Sequence, residues 1–227
     1  MNSDNLLKTE GIVIQSTPYG EYDKILTLFT PQQGLLKLFV KTTQKTRFHQ
    51  LPSTIPFAKA EFFYSTTRAL PKLHEATLLI SHHNLRNSLE CLEVAAKCNH
   101  ALLRSQSQGK AAPKLYTLFS HYLEKLTLSP AILYASFLLK ILKHDGLLQK
   151  EKSCSLCKIP LQEIWRFGGE CFCKKHALQG ALNFSQDEEK NLFFLAESRS
   201  LADITSFTFE ESFTSKIAIL FEAAMQH

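Results

Sequence analysis

The sequence has no long hydrophobic run. Its longest apolar stretch, residues 131–142, is interrupted by Ser136 and Lys140 and is too short to span a bilayer. At the N-terminus no basic region precedes an apolar core, so no secretory signal is visible. We therefore expect a cytoplasmic protein. In that compartment clustered cysteines favour metal binding over disulfides.

Signatures of catalysis are also missing. There is no GxxxxGK[ST] loop, which argues against nucleotide hydrolysis. Glu21 and Asp23 form the nearest acidic pair, and no second carboxylate cluster completes the metal site of a nuclease. No Ser/His/Asp or Cys/His arrangement stands out. We predict that the protein is not an enzyme, and a nuclease with a dispersed active site is the alternative.

Acidic residues are absent between Lys24 and Ala60. The first 176 residues contain 23 Lys and Arg against 13 Asp and Glu, whereas the rest of the chain contains three against eight. Such asymmetry suggests a basic body that binds a polyanion. Within the acid-free stretch we predict phosphate contacts for Lys24, Lys37, Lys41, Lys45 and Arg47.

Four phenylalanines lie between these basic residues: Phe29, Phe39, Phe48 and Phe57. In an OB-type barrel that binds single strands, lysines hold phosphates and exposed rings stack on bases. Alternating strands also need apolar residues for their core. We therefore expect Phe29, Phe39 and Phe57 to fill the barrel.

The first 80 residues have the pattern of short strands. Turn-like stretches separate five apolar runs, which are 11–15, 25–29, 35–40, 55–64 and 73–80. Two of these turn-like stretches, 18–20 and 31–34, contain both proline and glycine. Five short strands in this length favour a small barrel, and we expect an OB-type barrel. An SH3-like barrel would have almost the same pattern.

Four of the six cysteines and one histidine lie within residues 154–176. Cys154 and Cys157 can direct two thiolates at one ion from a tight turn, and Cys173 with His176 repeats their spacing. The pattern C-x2-C-x15-C-x2-H is close to known zinc spacings. We predict that these four residues bind a structural Zn²⁺, with Cys171 spare or substituting. Free thiols in a metal-free lobe are the alternative.

Helical periodicity replaces the strand pattern after residue 80. Ser185 with Glu188 and Thr208 with Glu211 match the capping box, and Cys91 and Cys98 lie on a helical pattern that places them in a core. We predict an α+β protein, an N-terminal five-stranded OB-like β barrel followed by an α-helical domain carrying a small zinc knuckle. The expected segments are the barrel at 1–80, a helical domain at 81–150, the knuckle at 151–180 and C-terminal helices at 181–227 that pack on the helical domain.

Together these features resemble the RecO family of bacterial recombination mediators and DNA-repair proteins. "GIVIQSTPYGEYDKILTLFTPQQGLLKLFVK" (11–41) resembles that family's opening, a strand followed by a PYGE-x-D-[RK] turn, an LTLFT strand and a glycine-led basic strand. "LHEATLL" (73–79) resembles its strand leaving the barrel, and "FLLKILKHDGLL" (137–148) resembles the helix before its metal motif. The cysteine region resembles its C-x2-C…GG…C-x2-C, with His176 at a place where the family often has cysteine.

The resemblance implies a protein that binds single- and double-stranded DNA, anneals complementary strands and works with a RecR-type partner on the nucleoid. It implies that the protein helps RecA replace single-strand DNA-binding protein (SSB). It also implies a pocket in the helical domain for the acidic, apolar C-terminal tail of SSB. Lys140 lies where the family tends to have arginine, and we expect it to contact that tail. A zinc-stabilised adaptor that joins proteins without touching DNA is the alternative.

Overall fold

A computed structural model describes residues 6–41, 52–66, 69–150, 152–206 and 209–226. Five strands form a closed barrel in the order β1-β2-β3-β5-β4: β1 Leu6–Tyr19, β2 Asp23–Thr30, β3 Gly34–Val40, β4 Lys59–Ser65 and β5 Lys72–Ile80. All pairs are antiparallel except β3 and β5, which close the barrel in parallel through Phe39 and Lys72. The OB-like barrel expected from the sequence is confirmed.

Alternation along the strands builds the barrel core. In β3, for example, Leu36, Leu38 and Val40 are buried while Lys37 between them is exposed. The inward residues form a wholly apolar cluster but for the hydroxyl of Tyr64, with members on all five strands and just before β4: Val13, Leu26, Leu28, Leu36, Leu38, Val40, Ala58, Ala60, Phe62, Tyr64, Leu73 and Ala76. The barrel is therefore held by hydrophobic burial and strand pairing.

Among the described residues two α-helices accompany the barrel, α1 Leu89–Ser105 and α2 Pro113–Lys125. The segment between them lies against the start of β3, where Gly34 has a φ of +59° and a Cβ would lie 2.3 Å from the Lys110 carbonyl oxygen. Only glycine fits this approach. Cys91 and Cys98 of α1 are buried, as their helical spacing predicts.

Beyond residue 128 the described part of the chain contains four α-helices and a small sheet. The helices are α3 Pro130–His144, α4 Gln186–Glu197, α5 Leu201–Ser206 and α6 Glu211–Ala224, and α3 packs against the other three. The sheet has the order β7-β6-β8, formed by β6 Ile164–Phe167, β7 Glu170–Phe172 and β8 Leu182–Phe184.

The predicted capping boxes differ in outcome. Ser185 caps α4, accepting from the backbone N–H of Glu188 at 3.1 Å while the Glu188 carboxylate accepts from the Ser185 N–H at 2.8 Å. By contrast α6 begins at Glu211 with Glu210 as its N-cap and no side-chain cap, and Thr208 lies outside the described residues.

The chain divides into two compact units, residues 1–127 and 128–227. The first contains the barrel, α1 and α2, and the second contains α3 to α6 and the small sheet. The four-segment division expected from the sequence stays a prediction. Among the described helices, none has the length and hydropathy needed to cross a bilayer.

Candidate nucleic-acid interface and metal centre

The outward side of the barrel presents the predicted Lys37, and the exposed Lys41 directly follows the end of β3. Strand register aligns Lys37 with Thr27 of β2, which in turn pairs with Gln15 of β1. Lys37 and Lys41 are exposed and have no acidic partner within the described part of the chain. We call the exposed surface around Tyr19, Lys37, Phe39 and Lys41 the barrel face.

The other predicted phosphate contacts lie elsewhere or are not described. Lys24 pairs with Val40, whose side chain points inward, so Lys24 lies at the end of the barrel and not on the barrel face. Lys45 and Arg47 lie outside the described residues.

Two aromatic rings lie on the barrel face. Tyr19 is 56% exposed and its ring centroid is 5.9 Å from that of Phe39, in an edge-to-face arrangement. Phe39 is half-buried and shares its side of β3 with Lys37, so the expectation that Phe39 fills the core is wrong. An exposed aromatic pair beside lysines is the arrangement on which single-stranded bases stack.

The other phenylalanines are buried. Phe29 points outward from β2 and is covered by α2, with ring centroids 5.9 Å from Tyr116 and 6.3 Å from Phe119, so the expectation that it fills the barrel is wrong. Phe57 is buried before β4, and Phe48 lies outside the described residues.

Lys72 joins the barrel face, and sequence reasoning missed it. It pairs with Phe39 where β5 meets β3, and the Phe39 N–H donates to the Pro71 carbonyl at 2.8 Å. This neighbour follows from parallel closure of the barrel between strands that are not consecutive. Strand periodicity along the chain contains no signal for such a pairing.

Other lysines of the barrel are neutralised. Lys59 lies 3.1 Å from the Glu10 carboxylate, and Lys8 lies 2.8 Å from that of Glu61. Both pairs bridge β1 and β4. On the barrel, therefore, the described lysines without acidic partners lie on the β2–β3–β5 side, and those with acidic partners lie on the β1–β4 side.

The four predicted metal ligands come together in the second unit. One ligand atom from each of Cys154, Cys157, Cys173 and His176 lies within 4.8 Å of all the others. The Sγ atoms of Cys157 and Cys173 are 3.9 Å apart, and the His176 Nδ1 lies 3.6 Å from the Cys154 Sγ and 3.4 Å from that of Cys173.

These distances fit a tetrahedral ion. With Zn–S bonds of about 2.3 Å and Zn–N bonds of about 2.0–2.1 Å, tetrahedral ligand atoms lie about 3.8 Å apart for two sulfurs and about 3.5 Å apart for sulfur and nitrogen. Three thiols and one imidazole are also a donor set that soft or borderline metals prefer. The group can therefore hold a metal ion.

Two short turns position the ligands. The Lys158 N–H donates to the Cys154 carbonyl and the His176 N–H donates to the Cys173 carbonyl, both at 2.9 Å. Burial raises the pKa of the Cys154 thiol, but backbone hydrogen bonds and the His176 ring outweigh it and lower the pKa to about 5. A thiol with this pKa is mostly thiolate at neutral pH, the form that binds metal.

Cys171 is not part of the four-residue group. It is buried in β7, and burial raises the pKa of its thiol to about 11. A neutral buried thiol behaves as a small apolar side chain. Its backbone N–H donates to the Gln149 Oε1 at 3.1 Å, so its contribution here is to strand position.

A buried ion pair is hydrogen-bonded to the chain just before the turn that contains Cys154 and Cys157. Arg166 and Glu189 are each 1% exposed, and the guanidinium donates to both carboxylate oxygens, at 2.6 and 2.9 Å. Its other N–H groups donate to the Gln149 and Gly169 carbonyls at 3.2–3.3 Å. All of its donor nitrogens thus have acceptors, as a buried guanidinium requires.

The same network reaches the metal ligands through Gln149. Its side-chain oxygen accepts from the Ser155 hydroxyl at 3.0 Å, next to Cys154, and the Ser155 N–H donates to the Cys171 carbonyl at 2.8 Å. Sequence reasoning missed the Arg166–Glu189 pair. A signal was present for Glu189, because it lies one helical turn before the buried Leu192 and therefore on the same buried side of α4.

Lys140 of α3 is half-buried and its ammonium donates to the Ser198 carbonyl at 2.5 Å, with the Ala196 carbonyl at 3.5 Å. It thus satisfies carbonyl groups at the C-terminal end of α4. Its predicted contact with a partner's tail is not tested by this geometry and stays a prediction.

Comparison with known proteins identifies the family. Residues 1–82 match the family model for the recombination protein O N terminal region, and residues 86–220 match the model for its C terminal region. The DNA repair protein RecO of Chlamydia muridarum is 31% identical over 94% of this chain and 93% of its own length. Those of Chlamydia pneumoniae and Exiguobacterium sibiricum are 29% and 25% identical, over 95% and 82% of this chain and 87% and 77% of their own. The chain therefore belongs to the RecO family of DNA repair proteins, as the motifs of its sequence predict.

Proposed function

We propose that this protein binds DNA through the barrel face, anneals complementary strands and helps load RecA onto SSB-coated single strands. The observation that carries the proposal is the grouping of Lys37, Lys41 and Lys72 with the Tyr19–Phe39 pair on one face. Lys24 at the barrel end extends the positive charge, and Lys45 and Arg47 are proposed to add to it.

The mechanism follows from charge and needs no covalent chemistry. Lysines that contact phosphates release condensed counterions, and this gives affinity without base reading. Two strands neutralised on one surface repel each other less, so they pair more readily. The rings of Tyr19 and Phe39 offer a stacking surface that accepts any base. No bond is made or broken.

The proposed partners follow from the family. They are single- and double-stranded DNA, a RecR-type mediator protein and the acidic C-terminal tail of SSB. An ammonium has three N–H donors, and Lys140 uses at most two on backbone carbonyls. We propose that the third contacts the SSB tail.

We also propose that Cys154, Cys157, Cys173 and His176 hold a structural Zn²⁺. Four protein ligands leave no open position, so the ion would supply cross-linking of the two turns and no catalysis. The distances between the donor atoms support this proposal.

Titration of fluorescent single-stranded DNA at several salt concentrations tests the DNA proposal. If about five basic side chains touch the strand, log affinity falls against log salt with a slope of about −3.5. Replacing Lys37, Lys41 and Lys72 together by glutamate should reduce the steepness of that slope by about 2 and abolish annealing.

A matched control keeps the same change in net charge. Lys97, Lys114 and Lys125 are exposed lysines on α1 and α2, and their joint replacement by glutamate should leave annealing largely intact. Equal loss in both triple variants would show that overall charge matters and the barrel face does not. Absence of DNA binding by the parent at low salt would favour the adaptor alternative.

A further inference from the structure

Two of the three cysteines in the Cys3His group are open to solvent. Cys157 and Cys173 are half-buried, whereas Cys154 is 0% exposed. The Sγ atoms of Cys157 and Cys173 lie 3.9 Å apart, although they come from different turns, one before β6 and one after β7. The cysteines that solvent reaches are therefore neighbours across the two turns.

The other cysteines of the chain are protected. Cys171 is 0% exposed in β7, and Cys91 and Cys98 are buried in α1. Oxidation of a cysteine depends on its exposure and on its thiolate character, and a cysteine that binds metal does so as the thiolate. An oxidant that arrives from solvent therefore meets Cys157 and Cys173 first.

The two sulfur atoms are close enough to be joined by a small movement. A disulfide places its sulfurs about 2.05 Å apart, so the Cys157 and Cys173 Sγ atoms would have to approach by about 2 Å. Lys158 and Lys174, which follow these cysteines in the chain, are exposed. Each turn thus borders solvent beside its cysteine, where the backbone can adjust.

We infer that Cys157 and Cys173 are a site of reversible oxidation, at which a peroxide converts two thiolates to a disulfide and the chain releases its metal ion. One thiolate attacks hydrogen peroxide and becomes a sulfenic acid, with loss of hydroxide. The other attacks that sulfur, forms the S–S bond and expels a second hydroxide. Two electrons pass from the sulfurs to the peroxide. The inference rests on the proposed Zn²⁺ at this site.

Oxidation at this pair would exchange one cross-link for another. It leaves Cys154 and His176 as ligands, and two ligands cannot retain an ion that a structural site holds with four. The new S–S bond joins the same two turns that the ion would join. A disulfide between Cys154 and Cys157, by contrast, would close within one turn and leave the two turns unjoined.

Release of zinc under peroxide is the first measurement. Protein that contains zinc is treated with millimolar hydrogen peroxide, and a chromophoric chelator measures the free ion. The parent and Cys171→Ala should each release about one zinc per chain, and a thiol reductant with added zinc should restore binding. The fluorescence of Trp165 should change less on oxidation of the parent than on Cys173→Ala substitution, because only the oxidised parent keeps the turns joined.

Peptide mapping then identifies the disulfide. Trypsin places Cys154 and Cys157 together in peptide 153–158 and Cys173 in peptide 167–174. In Cys171→Ala that has been oxidised and then alkylated, these two peptides should be linked, with the alkyl group on Cys154.

The outcomes separate this inference from the proposals on which it rests. Zinc that is retained under peroxide, or a disulfide that includes Cys154, would overturn the inference and leave the proposed zinc site standing. A parent that contains no zinc would overturn both. Neither measurement uses DNA, so the result is independent of the proposed DNA binding.

Discussion

Lys37 and Lys41 of the barrel lie exposed, without acidic partners among the described residues, whereas Arg166 and Glu189 of the second unit are each 1% exposed and bind each other. The barrel core contains no charged residue. The second unit contains a buried ion pair, two cysteine–histidine contacts and one cysteine–cysteine contact. The charges of the first region are therefore open to solvent and to the proposed binding of DNA, whereas those of the second region are buried in its fold.

This difference explains why the two regions should respond differently to substitution. A lysine on an exposed strand position can change sign with an effect on stability of about 0.5 kcal/mol or less. A buried charge that loses its partner destabilises by about 3–5 kcal/mol. The second unit is therefore expected to depend on its polar residues for stability.

Loss of the metal is expected to have the largest effect. Structural zinc sites of four ligands bind with about 10–16 kcal/mol, which is enough to order turns that bury little apolar surface. We expect one zinc per chain in the purified protein and in Cys171→Ala, and none in Cys173→Ala. Elemental analysis measures the metal, and the fluorescence of the single tryptophan, Trp165 in β6, reports the fold around it.

The barrel supplies the control for this experiment. Its core residues lie between positions 13 and 76, so single-stranded DNA binding should persist in the Cys173→Ala protein. Substoichiometric zinc in a folded parent would reject the metal proposal. Loss of zinc in Cys171→Ala but not in Cys173→Ala would show that the ligand set is wrong.

Breaking the buried ion pair is expected to come next in size. Arg166→Met leaves the Glu189 carboxylate buried without its partner and should lower the free energy of unfolding by about 3–5 kcal/mol. Urea unfolding followed by Trp165 fluorescence measures the change. Lys37→Glu on the barrel face is the comparison and should change stability by about 0.5 kcal/mol or less.

The double variant separates charge from packing. Replacing both partners by apolar residues, Arg166→Met with Glu189→Leu, removes the unpaired charge and should recover most of the lost stability. The Gln149 and Gly169 carbonyls would then lack their donor, so recovery should stop short of the parent. Full additivity of the two single variants would show that the pair is not coupled.

Strand periodicity allowed much of the barrel to be predicted. The expected strand at 25–29 lies inside β2, and that at 35–40 coincides with β3 but for its leading Gly34. The same alternation predicts the correct side for Phe39. Residues two apart on a strand face the same side, and Phe39 is two residues from the exposed Lys37. The hydrophobicity of Phe39 suggested a place in the core, but its position in the strand alternation was the better predictor of its orientation.

Contacts between distant segments were beyond reach from the sequence. Lys72 joins the barrel face only because β5 closes the barrel on β3, and Arg166 finds Glu189 only when α4 packs on the small sheet. By contrast the Cys3His group that can hold a metal ion was predictable, since each pair of residues lies within one turn and cysteine spacing indicates that turn directly. Residue spacing therefore predicts geometry within a turn, but it does not predict which distant segments pair.

The smallest expected effect on stability is that of replacing Lys140, which is half-buried and so lies between the exposed Lys37 and the fully buried Arg166 in its burial. Burial, with a smaller contribution from Lys143, lowers the pKa of Lys140 from 10.5 to about 8. Between these values the unfolded chain binds the proton and the folded protein does not, so stability should rise with pH from about 8 to 10.5. Relative to Lys140→Met, the parent should gain about 1–2 kcal/mol after allowance for solvent screening, measured by urea unfolding at several pH values.

The same variant tests the proposed partner contact. If Lys140 binds the SSB tail, Lys140→Met should weaken the binding of a fluorescent tail peptide by about fivefold, because one charge pair is lost. DNA binding by the barrel should not change. Lys143→Met is the matched control, because Lys143 is on the same helix, is more exposed and faces Glu197 at 3.6 Å. Weakening by Lys143→Met alone would move the contact one turn along α3. A stability effect of Lys140→Met without any change in peptide affinity would place its charge wholly in the architecture of the second unit, with Arg166.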